Sequence, residues 1–452
     1  MNDWIKKDLK YLWHPYTQMK DCLTFPPILI EKAKGVKLYD NKGNFYYDTI
    51  SSWWCNVHGH NHPKIKSAVK KQLDSLEHVL FAGFTHKGAI LLAEKLIALT
   101  NGKFSKVFFS DNGSTSVEVA LKLSFQYWQN KGKNKKTKFV SLDCGYHGDT
   151  VGTMSVSGVD LFNEVFSPLF FSSFKIPSPY CYRCPCGLQK TECSINCIKP
   201  AEELLKNKSD EICAIILEPM VMCAGGMIVY PKEYLKKIAL LAKKYNVHLI
   251  LDEVATGFGR TGKMFAYEHV RNISPDFLCI SKGITGGYLP LSATLTTEKI
   301  YREFYGDYEL KKTFFHGHTY TANPLACSAA LASLALFDQE KTMANVEKLA
   351  PMLSLGLDKF KDLNFVGDVR CIGLIGCIEM VKDKKTKESF GLKKRMALEV
   401  YKAGLKNNLV LRPLGDIVYL FLPLSVKRHE LEDILQRMHS IIKSLDSKNK
   451  EG

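Results

Sequence analysis

The chain has 452 residues, 46% of them hydrophobic and 24% charged, which is ordinary for a globular protein and long enough for two domains. No run of about 18 uninterrupted apolar residues occurs, and the stretch from Met1 to Lys10 is mixed and charged. A membrane span and a secretory signal are therefore not expected, and a cytoplasmic protein with no membrane partner is. The net charge of +16 favours anionic ligands, but no long basic block with interleaved aromatics accompanies it. Lysines scattered over solvated helix faces account for it, and no nucleic-acid partner is expected.

In chain order, Ile65, Val69, Leu73 and Leu76 recur at helical spacing behind Pro63, which predicts a helix over residues 63–76. Short apolar runs then alternate with longer amphipathic stretches. The runs are residues 107–109, 139–142, 214–217, 248–251, 277–280 and 291–295. Each is bounded by turn or polar residues, the pattern of buried strands in a largely parallel sheet. Helices are predicted over 114–129 and 231–244. After about Ala326 the order changes to a long helix, short strands around 369–380 and 418–422, and a final helix from Lys427. Residues 447–452 read as a frayed polar tail. The fold class is α/β. The segment 1–62 is expected to pack with a small α+β domain at 326–452, with a large domain over 63–325.

Ligands of α/β sheets sit at the carboxyl ends of the strands, and the informative residues cluster there. The first strand runs into Gly113-Ser114-Thr115-Ser116, whose helix N-terminus can hold a phosphate; taken alone, the motif is read first as a plain N-cap at Ser114 or Ser116. The strand over 248–251 ends in Asp252-Glu253. A carboxylate there needs a partner, either a cofactor's pyridinium N–H or the following turn. The next strand ends in Ser281-Lys282-Gly283. A strand-end lysine is usually solvated, but apolar neighbours lower its pKa and make the amine a nucleophile toward an aldehyde. Tyr146-His147-Gly148 offers a ring to stack on a flat cofactor, and His316-Gly317-His318-Thr319 offers a hydroxyl and turn amides. Taken alone, each of these two motifs is read as structural in preference to functional. Of fourteen cysteines, Cys181, Cys184, Cys186, Cys193 and Cys197 cluster. Their spacing matches no standard metal motif, so no metal is assigned, and disulfides or free thiols in a surface loop are the readings favoured over a metal site.

Together these segments resemble the class III aminotransferases of fold type I, most of all in residues 251–262 and in Ser281-Lys282-Gly283. The resemblance covers nearly the whole chain. It implies a pyridoxal 5'-phosphate enzyme, a large domain with a mainly parallel sheet, a smaller α+β domain and a homodimer. It further implies that Lys282 forms the Schiff base and shuttles the proton, that Asp252 holds the pyridinium and that Tyr146 stacks on the ring. Gly113, Ser114 and Thr319, the last from a partner subunit, would hold the phosphate. Trp13-His14-Pro15-Tyr16, Ser51-Ser52-Trp53-Trp54, Gly145-Tyr146-His147-Gly148-Asp149-Thr150 and Leu411-Arg412-Pro413 resemble one branch of that family. That branch converts 8-amino-7-oxononanoate to 7,8-diaminononanoate on the route to biotin. This implies a substrate pocket walled by Tyr16, Trp53, Trp54 and Tyr146, with Tyr16 also catalytic. Arg412 would face the distant carboxylate, Arg260 would lie near the entrance, and Gly317 would sit beside the substrate. The tandem tryptophans resemble members using S-adenosylmethionine as amino donor, the reading preferred here. His318 resembles members using lysine. A different ω-aminotransferase is the remaining alternative.

Overall fold

The computed structural model describes residues 2–189 and 192–448. Its central sheet contains β1 (Lys106–Ser110), β2 (Lys138–Leu142), β3 (Phe174–Ile176), β4 (Ile212–Leu217), β5 (His248–Asp252), β6 (Phe277–Ile280) and β7 (Ser292–Thr296), in the order β1-β7-β6-β5-β4-β2-β3. The strands from β3 to β6 pair in parallel, while β7 runs antiparallel to both its neighbours. β4 is buried at every position, which is why it reads as a continuous apolar run: helices cover both faces. Each fully buried isoleucine there, such as Ile216, contributes roughly 1.5–3 kcal/mol. Six of the seven strands coincide with expected runs to within one or two residues. β3 was not expected, because Phe-Lys-Ile is a three-residue edge strand with an exposed centre, too short to stand out from a loop.

Helix α1 (Gly113–Asn130) leaves β1 through a capping box between Asn112 and Thr115, so neither Ser114 nor Ser116 is the cap. The expected helix over 63–76 ends earlier, at Leu73 (Pro63–Leu73), with Asp74 as its C-cap. The helix Lys232–Lys244 starts after Pro231, which acts as N-cap.

The C-terminal part is a four-stranded antiparallel sheet of Val366–Ile372, Ile375–Met380, Ile417–Phe421 and Pro413–Leu414, followed by the helix Arg428–Lys448. Ser447 and Lys448 are thus helical rather than frayed, and 449–452 lie outside the described residues. The expected boundary between 325 and 326 falls inside the helix Pro324–Gln339, which packs on Pro63–Leu73 and Lys87–Leu99.

The first fifty residues meet the C-terminal sheet along a backbone seam. Val410 N–H donates to Tyr47 O at 3.1 Å, Tyr47 N–H to Asn408 O at 2.8 Å, and Phe421 N–H to Thr49 O at 2.7 Å. This seam delivers residues 51–54 and Arg412 to the same side of the molecule.

The cysteine-bearing loop is anchored on the C-terminal sheet. Tyr180 donates to Glu379, Arg183 Nε donates to Glu379 Oε1 at 2.7 Å, and Lys387 Nζ donates to Tyr182 O at 2.7 Å. Among the described residues no three of His, Cys, Asp or Glu are placed to hold a metal ion, and no helix is long and apolar enough to cross a membrane.

Candidate active site

A cavity of about 440 Å³ opens at the carboxyl ends of β1, β4, β5 and β6, lined among others by Trp54, Gly113, Ser114, Tyr146, His147, Glu218, Asp252 and Lys282. Sheet register explains the central pair. Asp252 ends β5 opposite Cys279 of the parallel β6, and Lys282 follows Cys279 by three residues. Lys282 itself sits in the left-handed region, with φ 44°, a conformation costly for a non-glycine residue and concentrated at functional sites. Its Nζ lies 5.1 Å from the Trp54 ring centroid. Burial lowers its pKa below the ordinary lysine value, against the opposing pull of Asp252, Cys223 and Glu218. A larger share of neutral, nucleophilic amine follows.

Asp252 is held from both sides. Val254 N–H donates to its Oδ1 at 3.0 Å, and His147 Nδ1 lies 2.8 Å from its Oδ2. A carboxylate only accepts, so the proton of that contact belongs to Nδ1. His147 Nε2 is buried without a partner among the described residues. Glu218 adds a second buried carboxylate, which accepts from Tyr146 N–H at 3.0 Å and Cys223 N–H at 2.9 Å. Burial, and next the charge of Asp252, push its pKa up to about 8. Its position just after β4 parallels that of Asp252 at the end of β5, and the acid that follows the apolar run in Leu217-Glu218 is the sequence signal for it.

At the phosphate end, the first-turn N–H groups of α1 have no acceptors within the helix. The Asn112 side chain takes that of Thr115. Gly113 and Ser114 face the cavity beside Gly148. A side chain at Gly148, where φ is +126°, would collide with Ser114, and one at Gly113 with Val254. The cradle is therefore narrow and built from glycine.

At the mouth, Tyr16 O–H donates to Asp149 Oδ1 at 2.5 Å, and its ring meets Trp53 edge-on at 5.7 Å. Burial, reinforced by Asp149, pushes its pKa up to about 12. The Arg412 guanidinium lies over Trp53, 4.6 Å from the ring centroid, and has no carboxylate partner among the described residues. Trp53 is 38% exposed and Trp54 5%. Trp54 and Tyr146 line the cavity, while Tyr16 and Arg412 both meet the neighbouring Trp53 and, like it, are not among the lining residues; Asp149, absent from the expected set, joins this group through Tyr16.

Arg260 is a correction. It does not lie at the entrance: it is 1% exposed, and its guanidinium is enclosed. Nη1 donates to Ser51 Oγ at 3.2 Å and Leu422 O at 2.8 Å, Nη2 to Trp54 O at 3.0 Å and Asn56 O at 2.9 Å. The cation also lies 4.9 Å from the Phe421 ring centroid. Both terminal nitrogens are thus satisfied by protein groups.

Gly317 and Thr319 do not line this cavity. Both are exposed, on an irregular stretch whose His318 Nδ1 lies 3.3 Å from Asp111 Oδ2.

Residues 19–442 match the family model for class-III aminotransferases. The chain is 46% identical, over all of its length and 98% of the relative's, to the adenosylmethionine-8-amino-7-oxononanoate aminotransferase of Anoxybacillus flavithermus. The crystal structure of the like-named enzyme of Methanocaldococcus jannaschii superposes with a TM-score of 0.93 at 41% identity, covering 98% of this chain and 99% of that one. A PLP-bound amine transaminase from an uncultivated Pseudomonas species gives 0.92 at 31%, covering 96% and 98%. Buried lysine, strand-end aspartate and full-length similarity agree, and the chain belongs to the class-III aminotransferase family.

Proposed function

We propose that this chain is a pyridoxal-phosphate aminotransferase that converts 8-amino-7-oxononanoate to 7,8-diaminononanoate on the route to biotin, with S-adenosylmethionine as amino donor. One observation carries the substrate reading: Lys282 Nζ lies against the Trp54 ring, and the adjacent Trp53 carries Arg412, a cation without a carboxylate partner among the described residues. That is an apolar wall with a charge at its far end, suited to a long acyl chain ending in a carboxylate. The names of the relatives at 41–46% identity support the same reading and the same donor.

The residues fit the cofactor. Asp252, backed by His147, faces the cavity as an acceptor for a ring N–H. The glycine-built turn at Gly113 and Ser114 offers helix-terminal N–H groups to a phosphate. Tyr146 stands beside the ring position, held by Glu218. Bound there, pyridoxal phosphate supplies an electron sink for the carbon that gains or loses the amino group. Lys282 Nζ is the nucleophile that holds the cofactor and then the base that moves the proton. Tyr16 keeps its proton at working pH and orients Asp149 at the mouth. Trp54 and Trp53 exclude water from the reacting end.

In this reading the enzyme is a cytoplasmic homodimer in which Thr319 and Gly317 serve the neighbouring subunit's site, as their exposure outside their own cavity suits. The test separates the half-reactions. Adenosylmethionine, and not lysine, is expected to convert the yellow cofactor form to the amine form, and 8-amino-7-oxononanoate to restore it. Conversion by lysine alone overturns the donor assignment. Equal restoration by short 2-oxo acids overturns the acceptor assignment.

A further inference from the structure

Ser114 and Glu118 stand four residues apart on α1, one turn from each other on a single face of the helix. The loop over residues 148–150 is fastened to both. Asp149 N–H donates to Ser114 Oγ at 3.3 Å, and Thr150 O–H donates to the Glu118 carboxylate. Between these two fastenings projects the Asp149 carboxylate, which takes the Tyr16 O–H. Tyr146 belongs to the same group: burial, and next a hydrogen bond with Tyr16, hold its phenol well above the ordinary tyrosine pKa.

Two glycines make room for this arrangement. A side chain at Gly148 would collide with Ser114, and one at Gly152 with both oxygens of Glu118. Gly152 lies in the short helix Val151–Ser155, where alanine is the better helix former. Its backbone is not left-handed, so the space taken by Glu118, rather than φ, accounts for glycine there. Glu118 itself does not line the cavity at Lys282.

We propose that Glu118 is a positioning residue whose carboxylate clasps Thr150 and thereby fixes Asp149 and Tyr16 at the mouth, in register with the phosphate turn on the same helix. It acts through Thr150 and Asp149. Without the clasp, Asp149 is held at Ser114 alone and is free to turn away from Tyr16. The expected effect on the acceptor rests on reading Tyr16 as part of the acceptor site, but the clasp itself does not.

Amide hydrogen exchange on the holoenzyme reads the clasp directly. The Met154, Val156 and Ser157 amides bond to Thr150 O, Thr153 O and Met154 O. In Glu118→Ala they are expected to exchange about tenfold faster, the order for losing a hydrogen bond to a charged group, with β5 amides unchanged. Glu118→Gln keeps an oxygen for Thr150 and should stay within about twofold of the parent enzyme. Gly152→Ala should reproduce the loss by pushing the carboxylate off Thr150, and should cost little once residue 118 is alanine. In the acceptor half-reaction, the KM of Glu118→Ala should rise about tenfold while the saturating rate changes much less. In a Tyr16→Phe background the same substitution should change KM by less than about twofold, because the hydroxyl it positions is gone. Should Glu118→Ala fail to fold, Thr150→Val removes the donor, leaves the carboxylate in place and carries the same expectations. Unchanged exchange at residues 154–157 overturns the proposal. So does a Glu118→Gln enzyme as impaired as Glu118→Ala, or full additivity with Tyr16→Phe. If exchange and the glutamine rescue follow expectation but 8-amino-7-oxononanoate is not an acceptor, the acceptor assignment fails and the clasp stands.

Discussion

His147 Nδ1 stands 2.8 Å from Asp252 Oδ2, and the histidine side chain has no exposed surface. The pair makes Asp252 a fixed acceptor, aimed at the cavity and supported from behind, as second-sphere partners of functional carboxylates are. Asp252→Asn removes the charge while keeping the shape. We expect it to bind the cofactor but to lose about two orders of magnitude in turnover, the cost of one strong charged hydrogen bond or more. Absorbance measures the binding and steady-state assays the turnover. Near-normal turnover would show that Asp252 only caps the turn at Val254.

Lys282→Ala should abolish the covalent adduct that borohydride fixes between protein and cofactor, read by mass spectrometry. The pH dependence has a definite sign. Burial lowers the Lys282 pKa from 10.5, so its neutral fraction at any given pH exceeds that of a surface lysine. In the cofactor-free protein, reaction of Lys282 with an aldehyde reagent should rise with pH and level off below pH 10.5. A plateau reached only above that pH would place the amine in solvent.

Arg412→Ala removes the cation over Trp53. A charge-assisted pair with a substrate carboxylate contributes roughly 1.5–3 kcal/mol. The acceptor half-reaction should therefore weaken by about tenfold to a hundredfold. The donor half-reaction should change less, since neither candidate donor carries that distant carboxylate. Stopped-flow absorbance follows each half separately, and equal damage to both would remove Arg412 from the acceptor site.

Thr319 is exposed and outside its own cavity. If it completes a neighbour's site, Lys282→Ala and Thr319→Ala subunits should complement on mixing, because each hybrid dimer holds one site with both defects and one with neither. Activity above that of either parent, with subunit exchange shown by native mass spectrometry, is the expected outcome. No gain after demonstrated exchange would mean that Thr319 serves no shared site.

Most of the central sheet and both ends of the Asp252–Lys282 pair were legible in the sequence. A buried strand is a local run of four to six apolar residues, and a polar residue that ends such a run marks the ligand edge of an α/β sheet. Phe277-Leu278-Cys279-Ile280 followed by Ser281-Lys282 is enough to place that lysine. Arg260 shows where local reading stops. The family resemblance implied a place near the entrance, and only the tertiary structure puts it at the centre of Ser51, Trp54, Asn56 and Leu422. Those partners lie 162 to 209 residues away along the chain. The left-handed backbone of residues 51–54 was hidden for the same reason: nothing in Ser-Ser-Trp-Trp favours positive φ. Ser52 donates to Asp48 and Ser51 to Phe421 O, and the C-terminal sheet that carries Phe421 meets the first fifty residues only after the chain has folded back on itself. Propensity and periodicity are properties of neighbours in sequence, whereas the partner that satisfies a buried charge is decided by which distant strands the packing brings alongside it.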